Sequence, residues 1–133
     1  MTTILIIERD AQFLEILKEW LLLYEFTPIT ASTLDEGYML TYLKQPALIL
    51  CGYGSPQFDG LRLLQTLQND PDKAIIPFLL MTGAFLEDIP DWQHHLRQGR
   101  LLFKPFDLMA LAQTLRLKLL QTQLLDDNEE VRR

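Results

Sequence analysis

Five short strand-like runs, four of them largely apolar and each followed by a polar or glycine-bearing turn and then by apolar residues at helical spacing, constrain this chain more than any other feature. The runs are Ile4–Ile7, Thr27–Ala31, Ala47–Cys51, Ile75–Met81 and Leu101–Phe103. An almost uninterrupted apolar run is the mark of a strand covered on both faces, as in a parallel sheet. Parallel strands need crossover connections, and those crossovers are helical and right-handed. The alternation therefore predicts a doubly wound α/β domain with helices on both faces of the sheet.

Local signals set the helix starts. Asp10 caps a first helix carrying Phe13, Ile16, Leu17, Trp20 and Tyr24. Thr33-Leu34-Asp35-Glu36 matches a capping box and opens a second helix that ends near Lys44. Asp59-Gly60 opens a third, with Leu61, Leu64 and Leu67, ending near Asn69-Asp70-Pro71. Pro90 is tolerated only in a first turn, so a short fourth helix is expected from about Asp88. Asp107 caps a last helix reaching about Gln123, and the charged stretch from Asp126 to Arg133 is expected to fray. Pro28 in the second run places that strand near an edge.

Bulk properties narrow the function. A chain of 133 residues is the size of one domain, with 48% apolar and 23% charged residues. Residues 3–123 are read as the folded domain and 124–133 as a charged tail. A net charge of −6 argues against non-specific nucleic-acid binding and against a basic patch for a membrane surface. The single cysteine, Cys51, excludes an internal disulfide and suits a reducing, cytoplasmic setting. No run approaches the length of a membrane span, and Met1-Thr2-Thr3 lacks the marks of a signal peptide.

In open α/β sheets, ligands gather beyond the carboxyl ends of the strands. Glu8-Arg9-Asp10 follows the first strand, Gly52 and Pro56-Gln57-Phe58-Asp59-Gly60 the third, Thr82-Gly83 the fourth and Lys104-Pro105-Phe106 the fifth. Taken together in this order, the four segments resemble the receiver (CheY-like) domain of two-component response regulators over residues 3–123. The resemblance implies a five-stranded sheet in the order 2-1-3-4-5. It also implies an aspartate at the end of the third strand that accepts a phosphoryl group with the help of Mg²⁺. Counting back four residues from Pro56, that position is Gly52, which offers neither a nucleophile nor a metal ligand. The family's acidic pair falls on Glu8 and Arg9, so its direct Mg²⁺ ligand is replaced by a guanidinium. Thr82 and Lys104 match the phosphate-sensing hydroxyl and the phosphate-contacting lysine. The aromatic switch position falls on Leu101, which carries no ring.

These departures predict a pseudo-receiver: no catalysis, no cofactor, Mg²⁺ binding lost or weak, and a signalling protein as partner rather than a phosphorelay step. Lys104 is expected to pair with Glu8 or Asp10, and Arg9 with a carboxylate such as Asp59. One alternative is a response regulator that senses a small anionic ligand, at a site formed by Arg9, Lys104 and Thr82, or another modification at the altered pocket. A flavin-binding, flavodoxin-like domain is another, although the loop after the third strand lacks a hydroxyl-rich phosphate cradle. His94 and His95 are adjacent, with no third ligand in sight, and are expected at the surface. Cys51 is expected as a small buried hydrophobe, and Ser55 and Tyr53 as ordinary loop residues. The last helix carries one apolar stripe at Leu108, Leu111, Leu115 and Leu119 and further leucines at 117, 120 and 124. That excess makes it a candidate interface, either for a homodimer or for a partner.

Overall fold

The computed structural model describes residues 2–54 and 58–132, with side chains through residue 124. The strands are β1 (Thr3–Ile7), β2 (Thr27–Ala31), β3 (Leu48–Tyr53), β4 (Phe78–Thr82) and β5 (Leu101–Phe103). The helices are α1 (Ala11–Leu23), α2 (Leu34–Lys44), α3 (Gly60–Gln68), α4 (Trp92–Arg97) and α5 (Leu108–Arg132), with a 3₁₀ turn at Leu86–Asp88. All strand pairs are parallel, in the order β2-β1-β3-β4-β5.

The two-residue period of a strand sorts the apolar runs into two cores. Ile4, Ile6, Leu48, Leu50, Leu79 and Met81 face α1 and α5, meeting Leu17, Trp20, Leu111 and Leu115. Leu5, Ile7, Ile49, Cys51, Phe78 and Leu80 face the other way, against Leu61, Leu64 and Leu67 of α3 and Ile89 before α4. Central strands buried on both faces explain why their sequences do not alternate. Pro28 lies in β2, opposite Ile4, on the edge that its missing N–H allows.

The caps act as the sequence predicts. Asp10 accepts from the N–H groups of Gln12 and Phe13, Thr33 from Glu36, Asp59 from Arg62 and Asp107 from Met109.

Three boundaries differ from expectation. β4 begins at Phe78, not Ile75, because Asp70 folds the preceding segment into a turn. Its carbonyl accepts from Lys73 and Ala74 and its carboxylate from Asp72, leaving Ile75 70% exposed. α4 starts at Trp92 rather than near Asp88: Ile89, just before Pro90, is held extended and the helix restarts beyond it. α5 runs to Arg132 instead of ending near Gln123, since no glycine or proline interrupts it. Among the described residues, no helix is long and apolar enough to cross a membrane.

Candidate functional site

The carboxyl ends of β1, β3, β4 and β5 bring Glu8, Gly52, Thr82 and Lys104 to one end of the sheet. Register does most of this. Ile7 pairs with Cys51, which sets Glu8 beside Gly52 on the neighbouring strand, and Tyr53, Thr82 and Phe103 lie abreast. The Lys104 N–H then donates to the Thr82 carbonyl at 2.7 Å, fixing the lysine just past β5.

The Glu8 carboxylate lies where a side chain at position 52 would begin. A β-carbon built on Gly52 would sit 2.6 Å from Glu8 Oε2 and 3.4 Å from the Phe58 ring. Lys104 Nζ donates to both carboxylate oxygens, each at 3.3 Å, and the Asp10 N–H donates to Oε1 at 3.3 Å. The ammonium also lies 4.4 Å from the centre of the Phe13 ring, which packs edge-on against Phe106. The cavity left over is about 70 Å³, lined by Glu8, Arg9, Gly52, Phe58, Gly83 and Lys104 among others.

The other predicted site residues take structural roles. Thr82 is buried, and its hydroxyl accepts from the Ala84 N–H at 3.0 Å, closing the turn after β4. Asp10 is spent on the α1 cap and does not bond to Lys104. Arg9 is exposed and, among the described residues, makes no ion pair with Asp59, whose carboxylate caps α3 instead. Leu101 is a half-buried member of the α3-side core, paired with Leu80 across the sheet. Pro56 and Ser55 lie outside the described residues.

No protein-family model and no curated protein matches the sequence. Solved structures do match. A response regulator receiver domain protein from Clostridium thermocellum superposes with a TM-score of 0.78 at 17% identity, over 94% of this chain and 99% of that one. A CheY-like receiver domain protein from Methanospirillum hungatei gives 0.79 at 21% identity, over 92% and 97%. The receiver domain of Francisella response regulator 1452 gives 0.78 at 18% identity, over 92% and 99%. The fold is that of a response-regulator receiver domain.

On a receiver fold, the end of β3 is where the resemblance places the phosphoryl acceptor and its Mg²⁺. The residues present do not fit that ion. Gly52 has no side-chain oxygen, Arg9 brings a positive charge, Asp10 caps a helix and Glu8 is held by an ammonium. No group of three His, Cys, Asp or Glu side chains able to hold a metal occurs among the described residues.

Two features escaped sequence reasoning. Phe58 lines the pocket, and Phe13 lies against the Lys104 ammonium although helical spacing marks it only as a core residue. His95 is buried rather than at the surface: its Nδ1 lies 3.3 Å from Arg100 Nη1, and burial together with the Arg100 charge holds its pKa below the usual histidine value. Cys51 is buried as expected, and desolvation pushes its thiol pKa far above the ordinary range, so it has little thiolate character.

Proposed function

We propose that this chain is a receiver-like signalling domain that works without phosphorylation, through contact with a partner protein in a two-component-type pathway. The observation that carries this reading is the placement of Glu8: its carboxylate fills the space of a side chain at position 52 and engages Lys104. A carboxylate that faces the lysine permanently takes the place of one that would be reversibly phosphorylated. Chemical input at this pocket is thereby removed, and the domain surface is left as the means of output. The same arrangement disfavours a small-anion site, because the Lys104 charge is already matched and an anion would face the Glu8 carboxylate at close range.

The test is incubation of the full chain with acetyl phosphate and Mg²⁺, followed by intact-mass measurement. The expected result is an unchanged mass; a phosphoryl adduct would refute the reading. Melting temperatures with and without Mg²⁺ serve as a second readout, and the expected result is no shift.

A further inference from the structure

A second polar cavity opens at the other end of the sheet from Gly52, where β4 begins. Its volume is about 190 Å³, and the end of α3, the turn after α4 and the middle of α5 enclose it. Two half-buried cations, Arg100 and Lys118, line it together with the amides of Gln68 and Gln121. Among the described residues no carboxylate lines it.

Local structure places both cations. α4 ends in a Schellman turn, in which the Gly99 N–H donates to the Leu96 carbonyl and the Arg100 N–H to the His95 carbonyl, each at 3.0 Å. Gly99 takes the left-handed φ of 65° that this turn requires. A β-carbon at Gly99 would sit 2.5 Å from Lys118 Nζ, so the glycine also clears the space in which the ammonium rests. Lys118 donates from there to the Gln98 carbonyl at 3.1 Å, and two of its three N–H groups stay available to another acceptor. The Arg100 carbonyl accepts from the Leu80 N–H at 2.6 Å, which pins the residue just before β5.

Neither cation has a counterion among the described residues, where the one ion pair joins Lys104 to Glu8. Arg100 Nη1 lies 3.3 Å from His95 Nδ1, a nitrogen that accepts only when the ring is neutral and that brings no negative charge. Burial lowers the Arg100 pKa, with no carboxylate to offset it. Two like charges on one cavity repel each other, and an anion between them reverses the sign of that interaction. The volume falls below the roughly 300 Å³ at which pockets for drug-sized ligands begin, so it suits a single oxyanion group. A planar guanidinium fork beside an ammonium is a donor set matched to phosphate, and two cations favour a dianion over a carboxylate.

We propose that this cavity binds a phosphate group, as the free ion or on a small phosphomonoester, between the Arg100 guanidinium and the Lys118 ammonium. The binding is non-covalent and independent of Gly52. It leaves the mass of the chain unchanged, so its test is separate from that of phosphorylation.

The experiment is a proton–nitrogen NMR titration of the full chain with sodium phosphate, against sodium chloride at equal ionic strength and pH. Saturating shifts are expected at Gln98, Gly99, Arg100 and Lys118, with Gly52 and Gly83 unmoved. The expected dissociation constant is on the order of 1 mM. Arg100→Gln and Lys118→Gln should each weaken binding by about tenfold or more, through loss of a charge-assisted hydrogen bond. Arg62→Gln removes the same charge from an exposed position outside the cavity and should leave the affinity unchanged. The same spectra show whether each variant is folded, and Lys118→Gln carries the test if Arg100→Gln does not fold. A parallel titration with glycerol 3-phosphate separates the two sources: saturation by inorganic phosphate alone assigns the site to the free ion, and saturation by the ester assigns it to a phosphomonoester. Phosphate shifts no larger than those of chloride, shifts centred on Gly52 and Lys104, or an affinity that Lys118→Gln leaves intact or Arg62→Gln lowers equally would overturn the proposal.

Discussion

Replacing Lys104 with methionine should cost more stability than replacing Glu8 with glutamine, although both break the same ion pair. The difference lies in burial. The Glu8 side chain is 7% exposed and that of Lys104 31% exposed. Removing one member of a buried pair costs about 3–5 kcal/mol, because the other is left as an uncompensated charge. Lys104→Met strands the carboxylate with the Asp10 N–H as its remaining hydrogen bond, so the loss should lie at the lower end, about 3 kcal/mol. Glu8→Gln strands an ammonium that can swing toward solvent, and the new amide can still accept from the Asp10 N–H. About 1 kcal/mol is expected there. For a domain of this size, these losses correspond to melting-point drops of about 12 °C and about 4 °C. The double variant should be more stable than the two single losses added together predict, with a coupling of about 1–2 kcal/mol. Urea unfolding of the four proteins measures all of these quantities. If Glu8→Gln proves as costly as Lys104→Met, or if the coupling is below about 0.5 kcal/mol, then the carboxylate is not held by the lysine.

Two further outcomes follow from the same structure. His95 has its pKa lowered from its ordinary value of 6.5 by burial, Arg100 and His94, partly offset by Asp91. The unfolded chain therefore binds the proton more readily; the contribution is complete above that value and is lost as pH falls through it toward the folded-state pKa. His95→Gln should flatten the decline in urea midpoint between about pH 7 and pH 5, and an equally steep curve would sink the assignment. Gly60→Ala puts a β-carbon 2.5 Å from the Gly52 carbonyl oxygen and 3.0 Å from Cys51 Sγ, where α3 begins against the end of β3. A backbone oxygen cannot rotate aside, so this change should cost about 1–3 kcal/mol by urea unfolding despite the better helix propensity of alanine; wild-type stability would show that α3 moves freely against β3.

The sheet was legible in the sequence because its cause is mostly local: uninterrupted apolar runs such as Ile4–Ile7 and Ala47–Cys51 have few other uses in a domain of this size. The caps at Asp10, Thr33, Asp59 and Asp107 were legible for the same reason, since each bonds to N–H groups two or three residues on. What escaped was decided by distant partners. Ile75 and Ile76 read as strand until the turn built by Asp70 is seen. His95 reads as surface until Arg100, from beyond the next turn, comes to its ring. At the site, Lys104 and Glu8 could be proposed as partners from sequence, but so could Lys104 and Asp10; Asp10's use as a cap selects Glu8. The pairing of Arg9 with Asp59 failed for the corresponding reason, because Asp59 caps α3.

The space above Gly52 also bears on how such a site can change without collapse. A lysine at the end of β5, held by its own N–H to the Thr82 carbonyl, presents an ammonium to the pocket whatever stands at position 52. With glycine there and no other carboxylate nearby, that charge would lack a partner in a half-buried setting. β1 and β3 are adjacent and in register, so the residue beside position 52 is Glu8, and a side chain one methylene longer than aspartate reaches across from the neighbouring strand. The negative charge that faces Lys104 thus comes from the end of β1 rather than from β3. A carboxylate at position 52 would be hard to accommodate. Gly52→Asp would place its β-carbon against Glu8 Oε2 and bring a second carboxylate into a cavity of about 70 Å³. That variant is expected to be less stable than wild type and to remain unmodified by acetyl phosphate with Mg²⁺. Adding Glu8→Ala should recover part of the lost stability by clearing the space and removing the like charge. If Gly52→Asp alone were as stable as wild type, Glu8 would have to leave the pocket at little cost, and its carboxylate could not be the fixed counterion of Lys104.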